Sequence, residues 1–246
     1  MTTTLAYRRR PTQQEIHEQL DALFRLDGEA AGETLLVRHA QPAITSADEE
    51  HEIDRDPMLS CEGLRQAELL ADHLSNLRID AICTSPARRC CQTAKIAADL
   101  LQCPLTVVDE LADIDYDPRS AEGVSGAYAE RFTRDPRWEA LPGFAPGAAF
   151  RRRAVAAIEG IMAAHPTGRN VVVSHTSVLN AYLGLLLCIP RDQFFAPDHA
   201  SISAVRHSEQ RAVLRCLNDT SHLEPCTQII SLTPALTGRS LPLTNR

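Results

Sequence analysis

The sequence predicts an α/β protein, a three-layer α/β/α sandwich around a mainly parallel sheet with an antiparallel strand. Two observations carry that prediction. Short apolar runs such as LLV at 35–37 and VVV at 171–173 are continuous rather than alternating, as strands buried on both faces require. Between such runs lie stretches with apolar residues at helical spacing, so strand and helix alternate along the chain. A third observation sets the scale. A chain of 246 residues, 44% hydrophobic and 23% charged, has an ordinary globular composition and can bury one large core.

Residues 12–26 read as a short amphipathic helix. Thr12 and Glu15 have capping-box spacing, and Ile16, Leu20, Leu23 and Phe24 share one face. The helix belongs to an N-terminal extension, residues 1–31, which is expected to pack on the main domain or on a partner chain. DGEAAGE at 27–33 reads as a linker. The main domain is expected over 32–224. It opens with a strand at Leu35–Arg38 and a polar loop from Pro42 to Pro57.

Ser60 can cap a helix running to about Leu77, with Leu64, Ala67, Leu70, Ala71 and Leu74 on its apolar side. A strand at 80–85 follows, then a helix opened by Pro86 and ending near Leu101, then a strand at 104–111. Residues 112–146 are rich in Pro, Gly and charge and carry Tyr116, Tyr128, Phe132, Trp138 and Phe144. A long irregular insertion of this kind is usually functional, so it reads as a lid or substrate-side cap. Beyond it come a helix at 150–164, a strand at 170–175 and a helix at 177–188. ASISAVRHS and RAVLRCLND have a short connection and read as an antiparallel pair. The tail, 225–246, shows no periodicity.

The net charge of −7 argues against a general nucleic-acid binder, which needs a basic surface. The RRR runs at 8–10 and 151–153 are then either solvated faces or parts of a local basic pocket. No apolar run approaches the roughly 20 residues of a membrane span. VLNAYLGLLLCI at 178–189 is shorter and reads as a buried helix. No secretory h-region is visible near the N-terminus. The eight cysteines have neither CxxC spacing nor histidines at zinc-binding intervals. They are expected to be reduced, mostly buried thiols in a cytoplasmic protein.

Open α/β sheets bind ligands beyond the carboxyl ends of their strands. The first strand ends in Arg38 and His39, and the second in Thr84 and Ser85, followed by Arg88 and Arg89. The third leads to Asp109, Glu110 and Asp113, and the fourth ends in Ser174 and His175. Two histidines, several arginines and a set of carboxylates at one edge fit an anionic substrate, most naturally a phosphate. Arg88 and Arg89 fall in a first helical turn, where the dipole disfavours cations by a few tenths to about 1 kcal/mol. A bound phosphate would account for them, and a plain surface location is the alternative. A neutral imidazole can attack phosphorus while Arg and protonated His offset charge on the transferring oxygens. Neither histidine has a carboxylate or second His at ligand spacing, so no metal or other cofactor is expected.

The segments LLVRHAQP, LSCEGLRQAELLADHL, AICTSPARRCCQTAKIAA and NVVVSHTSVLNAYL together resemble the histidine phosphatase superfamily. That group includes the cofactor-dependent phosphoglycerate mutases and many small-molecule phosphatases. The likeness runs from about residue 34 to 223 and takes in DHASISAV and LNDTSHL. It implies that His39 is the nucleophile that becomes phosphohistidine. Arg38, Arg89 and His175 would hold the phosphoryl oxygens, with Arg89 rather than Arg88 as the pocket arginine. Asp113 in ELADIDY matches the position of the acid that protonates the leaving group, and Glu110 and Asp115 are the alternatives. Four residues depart from the family pattern. Ala40 and Thr176 stand where glycine is usual after each histidine, Thr45 stands where many members carry asparagine, and Asp113 replaces glutamate.

The expected function is therefore metal-independent hydrolysis of a small-molecule phosphate monoester through phosphohistidine. A phosphoglycerate mutase-type phosphotransferase is the nearer rival, weakened because AQPAITSADEE after His39 lacks the Trp-Asn pattern mutases carry there. A weakly active phospho-ligand binding protein is the other rival, motivated by the altered acid and the two missing glycines. Arg119, Tyr128, Arg131, Arg134 and Trp138 in the insertion are candidates for substrate recognition, or else surface or core residues. The partner expected is a small phosphate ester, with no nucleic acid and no membrane; a homodimer is left open.

Overall fold

The computed structural model describes residues 12–26, 31–43, 56–115, 130, 134, 136–140 and 146–224. Its strands are β1 (Gly32–Arg38), β2 (Ala81–Thr84), β3 (Leu105–Val107), β4 (Arg169–Ser174), β5 (Ile202–His207) and β6 (Ala212–Asp219). They form one sheet in the order β3-β2-β4-β1-β5-β6. β1, β2, β3 and β4 pair in parallel, whereas β5 runs antiparallel to both β1 and β6. The helices are α1 (Gln13–Arg25), α2 (Cys61–Ser75), α3 (Arg88–Leu101), α4 (Gly147–Ala164) and α5 (Thr176–Leu186). The three-layer sandwich and the single antiparallel strand within a mainly parallel sheet are those read from the sequence.

Successive strand residues point to opposite faces, and both faces are apolar. Leu36, Val172 and Val205 pack with Ala154, Ile158, Leu179 and Leu183 of α4 and α5. Leu35, Val37, Val171 and Val173 pack on the other face with Leu70, Leu74, Ala94 and Ala97 of α2 and α3. The register matters most for function. β1 and β4 align Arg38 with Ser174, so the residue after each strand, His39 and His175, emerges beside the other.

Helix α2 starts where its cap predicts: Ser60 accepts from the Gly63 N–H at 3.0 Å. Leu64, expected on the buried face, is 39% exposed. Gly63 takes that face in the first turn, and a Cβ there would lie 2.0 Å from the Gln41 carbonyl oxygen. Only glycine allows this approach of α2 to the loop after β1. The α1 capping box also forms, with the Thr12 N–H donating to Glu15 Oε2 (2.6 Å) and the Glu15 N–H to Thr12 Oγ1 (3.2 Å). The helix lies against β6, yet Ile16 and Leu20 remain exposed.

Two expectations are corrected. The strand read at 104–111 is only β3, three exposed residues, followed by a 3₁₀ turn at Asp109–Leu111. Its sole neighbour, β2, offers pairing only from Ile82↔Leu105 to Thr84↔Val107. Beyond that the ladder ends and Leu111 turns into the core. The thiols are not mostly buried: of the described cysteines only Cys83 and Cys90 are, while Cys61 and Cys188 are exposed. All seven are free thiols.

Of the alternatives left open for Trp138 the structure takes the core one: it is buried in the cluster formed by α4 and α5. Arg134 is exposed. Thr45, Arg119, Tyr128, Arg131, the RRR run at 8–10, most of the 112–146 insertion and the tail lie outside the described residues. Among the described residues no helix is long and apolar enough to cross a membrane.

Candidate active site

His39 leaves β1 with its N–H donating to the Ser174 carbonyl at 2.9 Å. Its ring Nδ1 lies 2.8 Å from the Ala40 carbonyl oxygen, a partner that can only accept, so Nδ1 carries the proton. Nε2 is left with its lone pair and accepts from Arg89 Nε at 3.2 Å. Burial, above all, lowers the His39 pKa from 6.5 to about 2, with His175, Arg89 and Arg38 pushing the same way. The ring is a neutral imidazole.

His175 is the N-cap of α5 and holds the opposite tautomer. Its Nδ1 accepts from Arg89 Nη2 at 3.1 Å, so Nε2 carries the proton and donates to Ser85 Oγ at 2.8 Å. Burial, then Arg89, Arg38 and Arg153, lowers its pKa to about 3. The two rings stand edge-on with centroids 5.4 Å apart. A single guanidinium thus joins the two imidazole lone pairs.

Arg89 and Arg88 have different fates. Helix α3 has no acid in its first turn, and Asp56, from the segment before α2, supplies one. Its carboxylate accepts from the Arg88 backbone N–H at 2.9 and 3.1 Å and from Arg89 Nη1 at 3.5 Å. That arrangement restores the negative charge a helix N-terminus favours. Arg88 turns to the Asp56 carbonyl, and only Arg89 enters the pocket. Arg38 donates from Nη1 to the Pro197 carbonyl at 2.6 Å. Its Nε is buried without a partner among the described residues, and burial lowers its pKa.

Among the three candidate acids the structure brings Asp113 to the pocket. Its Oδ1 accepts from the Ile114 N–H at 2.9 Å and from the Ser177 hydroxyl. Its Oδ2 lies 3.6 Å from His175 Nδ1 and 3.7 Å from Arg89 Nη2. Glu110 is exposed and lines a groove with Cys83, Thr106 and Arg153, away from both histidines; Asp115 is exposed. Arg153 donates to the carbonyls of Glu110 (2.6 Å), Ala112 (3.0 Å) and Asp113 (3.1 Å), and Ser174 Oγ donates to that of Leu111 (2.9 Å). The segment beyond the edge strand is thereby tied down.

Two of the departures from the family pattern are conformationally ordinary. Neither Ala40 nor Thr176 has positive φ, so neither position needs glycine. Ala40 is fully buried against Leu59, Ala67 and Ala200, and its N–H donates to Thr93 Oγ1 at 3.1 Å. Four further residues stand beside the pocket: Ser85 on His175, which the sequence places at the sheet's carboxyl edge; Arg153 on the acid segment, from the RRR run read as a solvated face or local basic pocket; and Asp56 on α3 and His199, to which the sequence reading gives no role. The last has a ring centroid 5.6 Å from that of His39. Among the described residues no group of three or more His, Cys, Asp or Glu side chains is placed to hold a metal ion.

Two neutral imidazoles, two guanidiniums and a carboxylate at the carboxyl edge of a parallel sheet define a class: an α/β protein that holds an oxyanion against an imidazole. The chain belongs to the histidine phosphatase superfamily (branch 1), whose sequence profile matches residues 34–220. Phosphoserine phosphatase 1 of Hydrogenobacter thermophilus is 32% identical over 197 residues, covering 77% of this chain and 93% of that protein. The structure of Bacillus stearothermophilus YhfR superposes with a TM-score of 0.67 at 20% identity, covering 78% of this chain and 100% of that one. A mycobacterial glucosyl-3-phosphoglycerate phosphatase gives 0.63 at 18% identity, covering 76% and 99%. These two likenesses bear on the fold.

Proposed function

We propose that this phosphatase hydrolyses small-molecule phosphate monoesters through a phosphohistidine on His39. The observation that carries the reading is the opposed pair of tautomers bridged by Arg89, which aims two imidazole lone pairs and a guanidinium fork into one pocket. A phosphate ester draws Arg89 onto its own oxygens, because a charged bidentate contact outweighs hydrogen bonds to neutral rings. The lone pair of His39 Nε2 then faces phosphorus. Arg38 Nε, unpaired in the site, gains an acceptor. His175 donates from Nδ1 once it carries the proton of the ester monoanion, whose second pKa is about 6.

In the first step the N–P bond forms as the ester P–O bond breaks, and Asp113, its Oδ2 3.6 Å from His175 Nδ1, passes to the departing alcohol the proton that the ester monoanion gave to His175. In the second, the Asp113 carboxylate takes a proton from a water whose oxygen attacks phosphorus. The P–N bond breaks and phosphate leaves. Positioned acid–base help of this kind is worth ~10²–10⁴-fold. No step calls for a metal. Ala40 and Thr176, with ordinary backbone angles, remove most of the motive for a non-catalytic binding protein. The free thiols of the described residues support a cytoplasmic location for it, where thiols stay reduced.

His39→Ala should abolish release of phosphate from p-nitrophenyl phosphate, assayed with EDTA present. Unchanged turnover in that variant, or loss of wild-type activity in EDTA, sinks the mechanism.

A further inference from the structure

The chain returns to the carboxyl edge between Phe195 and Ile202, just before β5, and the short stretch there is unusually well pinned. Arg38 holds the Pro197 carbonyl. The Asp198 N–H donates to Asn218 Oδ1, and Asn218 Nδ2 donates back to Asp198 Oδ2, both at 2.7 Å. The Ala200 N–H lies 3.0 Å from the Arg38 carbonyl and 3.3 Å from that of His39. The Ala200 carbonyl accepts from His222 Nε2 at 3.1 Å. Ala200 itself has φ 58°, a left-handed conformation that is unfavourable for a residue with a Cβ. Strain of this sort persists only where the surroundings over-determine it, and it clusters at functional sites.

What this scaffold presents is His199. Its imidazole is half-buried beside the nucleophile, tilted 49° to the His39 ring. Neither ring nitrogen has a hydrogen-bond partner among the described residues. Burial first, then Arg38, lowers its pKa to about 4 against the opposing pull of Asp198, so the ring is neutral and carries one N–H donor. Its neighbour Arg38 also has an unmatched donor, the buried Nε. Two donors stand beside His39, one buried without a partner and one on a half-exposed ring with no partner among the described residues, and an oxygen-rich ligand would engage both.

We propose that His199 is a phosphoryl-contacting residue, its imidazole N–H donating to an oxygen on the Arg38 side of the group transferred to His39. The assignment rests on the phosphatase reading above. It makes His199 part of the pocket that holds the five-coordinate transition state, in addition to Arg38, Arg89 and His175.

Orthovanadate, a five-coordinate mimic, tests this through its inhibition of p-nitrophenyl phosphate turnover. His199→Ala and His199→Phe should each raise the vanadate inhibition constant about tenfold or more. His199→Gln, which keeps an N–H donor, should recover most of the loss. His199→Phe preserves the ring packing against His39, so equal inhibition of wild type and His199→Phe would reduce His199 to a packing role and overturn the proposal. Melting temperatures of the three variants identify any that misfold, and the Phe–Gln contrast decides without the Ala variant. Failure of the wild type to release phosphate from any monoester in a metabolite panel would instead overturn the phosphatase reading itself.

Discussion

The pocket around His39 and His175 and the segment that carries Asp113 meet at one site but are built differently. The first stands on β1 and β4, inner strands buried on both faces, and its rings are almost inaccessible. The second stands beyond β3, an edge strand of three exposed residues, and its side chain is 42% exposed. The pocket is held by the sheet itself, whereas the acid is held by hydrogen bonds to its backbone carbonyls from Arg153 and from Ser174. On the proposed mechanism, binding of the phosphoryl group thus depends on the core, and proton transfer on a clasp.

The largest effect that separates the two regions comes from Asp113→Asn. It should lower turnover of a simple alkyl phosphate by ~10²–10⁴-fold, and that of p-nitrophenyl phosphate far less, because p-nitrophenolate needs little protonation to leave. Orthovanadate inhibition should hardly change. An equal loss for both esters would mean that Asp113 belongs to the pocket rather than to proton transfer.

A stability effect comes next, and it isolates the pocket. In the unfolded chain His175 titrates near its ordinary 6.5, but in the folded protein only near 3. Between those values the unfolded state binds a proton that the native state refuses. Stability is therefore full above about pH 6.5 and falls as the pH drops, by about 1.4 kcal/mol per pH unit for each such histidine. His175→Asn should flatten the slope of urea-unfolding free energy between pH 4.5 and 6 by that amount. An unaltered slope would show that the ring is already charged in the native protein.

The smallest effect tests the clasp. Arg153→Ala should lower kcat about fivefold, or ~1 kcal/mol, while the inhibition constants for phosphate and vanadate stay within twofold. A matching rise in those constants would show that the acid segment and the phosphate pocket are mechanically one.

The same contrast explains what the sequence discloses. LLVRH and VVVSH are legible because strands covered on both faces leave continuous apolar runs, and whatever follows them must surface at the carboxyl edge. PLTVVDEL carries a similar apolar signature, yet its strand stops at Val107 because β2 stops at Thr84; that limit lies in the pairing, not in the local residues. Leu64 and Gly63 show a second gap, since a close helix–loop approach puts Gly63 in place of Leu64 on the first turn of the buried stripe, while Ala67, Leu70, Ala71 and Leu74 keep their places. His199 escapes any search that collects residues after strands. It precedes β5, and in an antiparallel strand the start lies where the parallel strands end. A histidine directly before the late antiparallel run was the signal that could have found it. Asp56 and Arg153 act on backbone groups far away in the chain, and local sequence gives no sign of such contacts.

The Arg89 bridge between the two histidines has a consequence for chemical selectivity. At rest, its guanidinium covers the lone pair of the very nitrogen that must attack. An electrophile without anionic oxygens has nothing with which to draw that guanidinium aside, and it meets a capped nucleophile. A phosphate ester removes the cap by the same contact that binds it. On the proposed mechanism recognition and activation are then a single event, and the residue that makes His39 reactive toward phosphorus also shields it from other electrophiles.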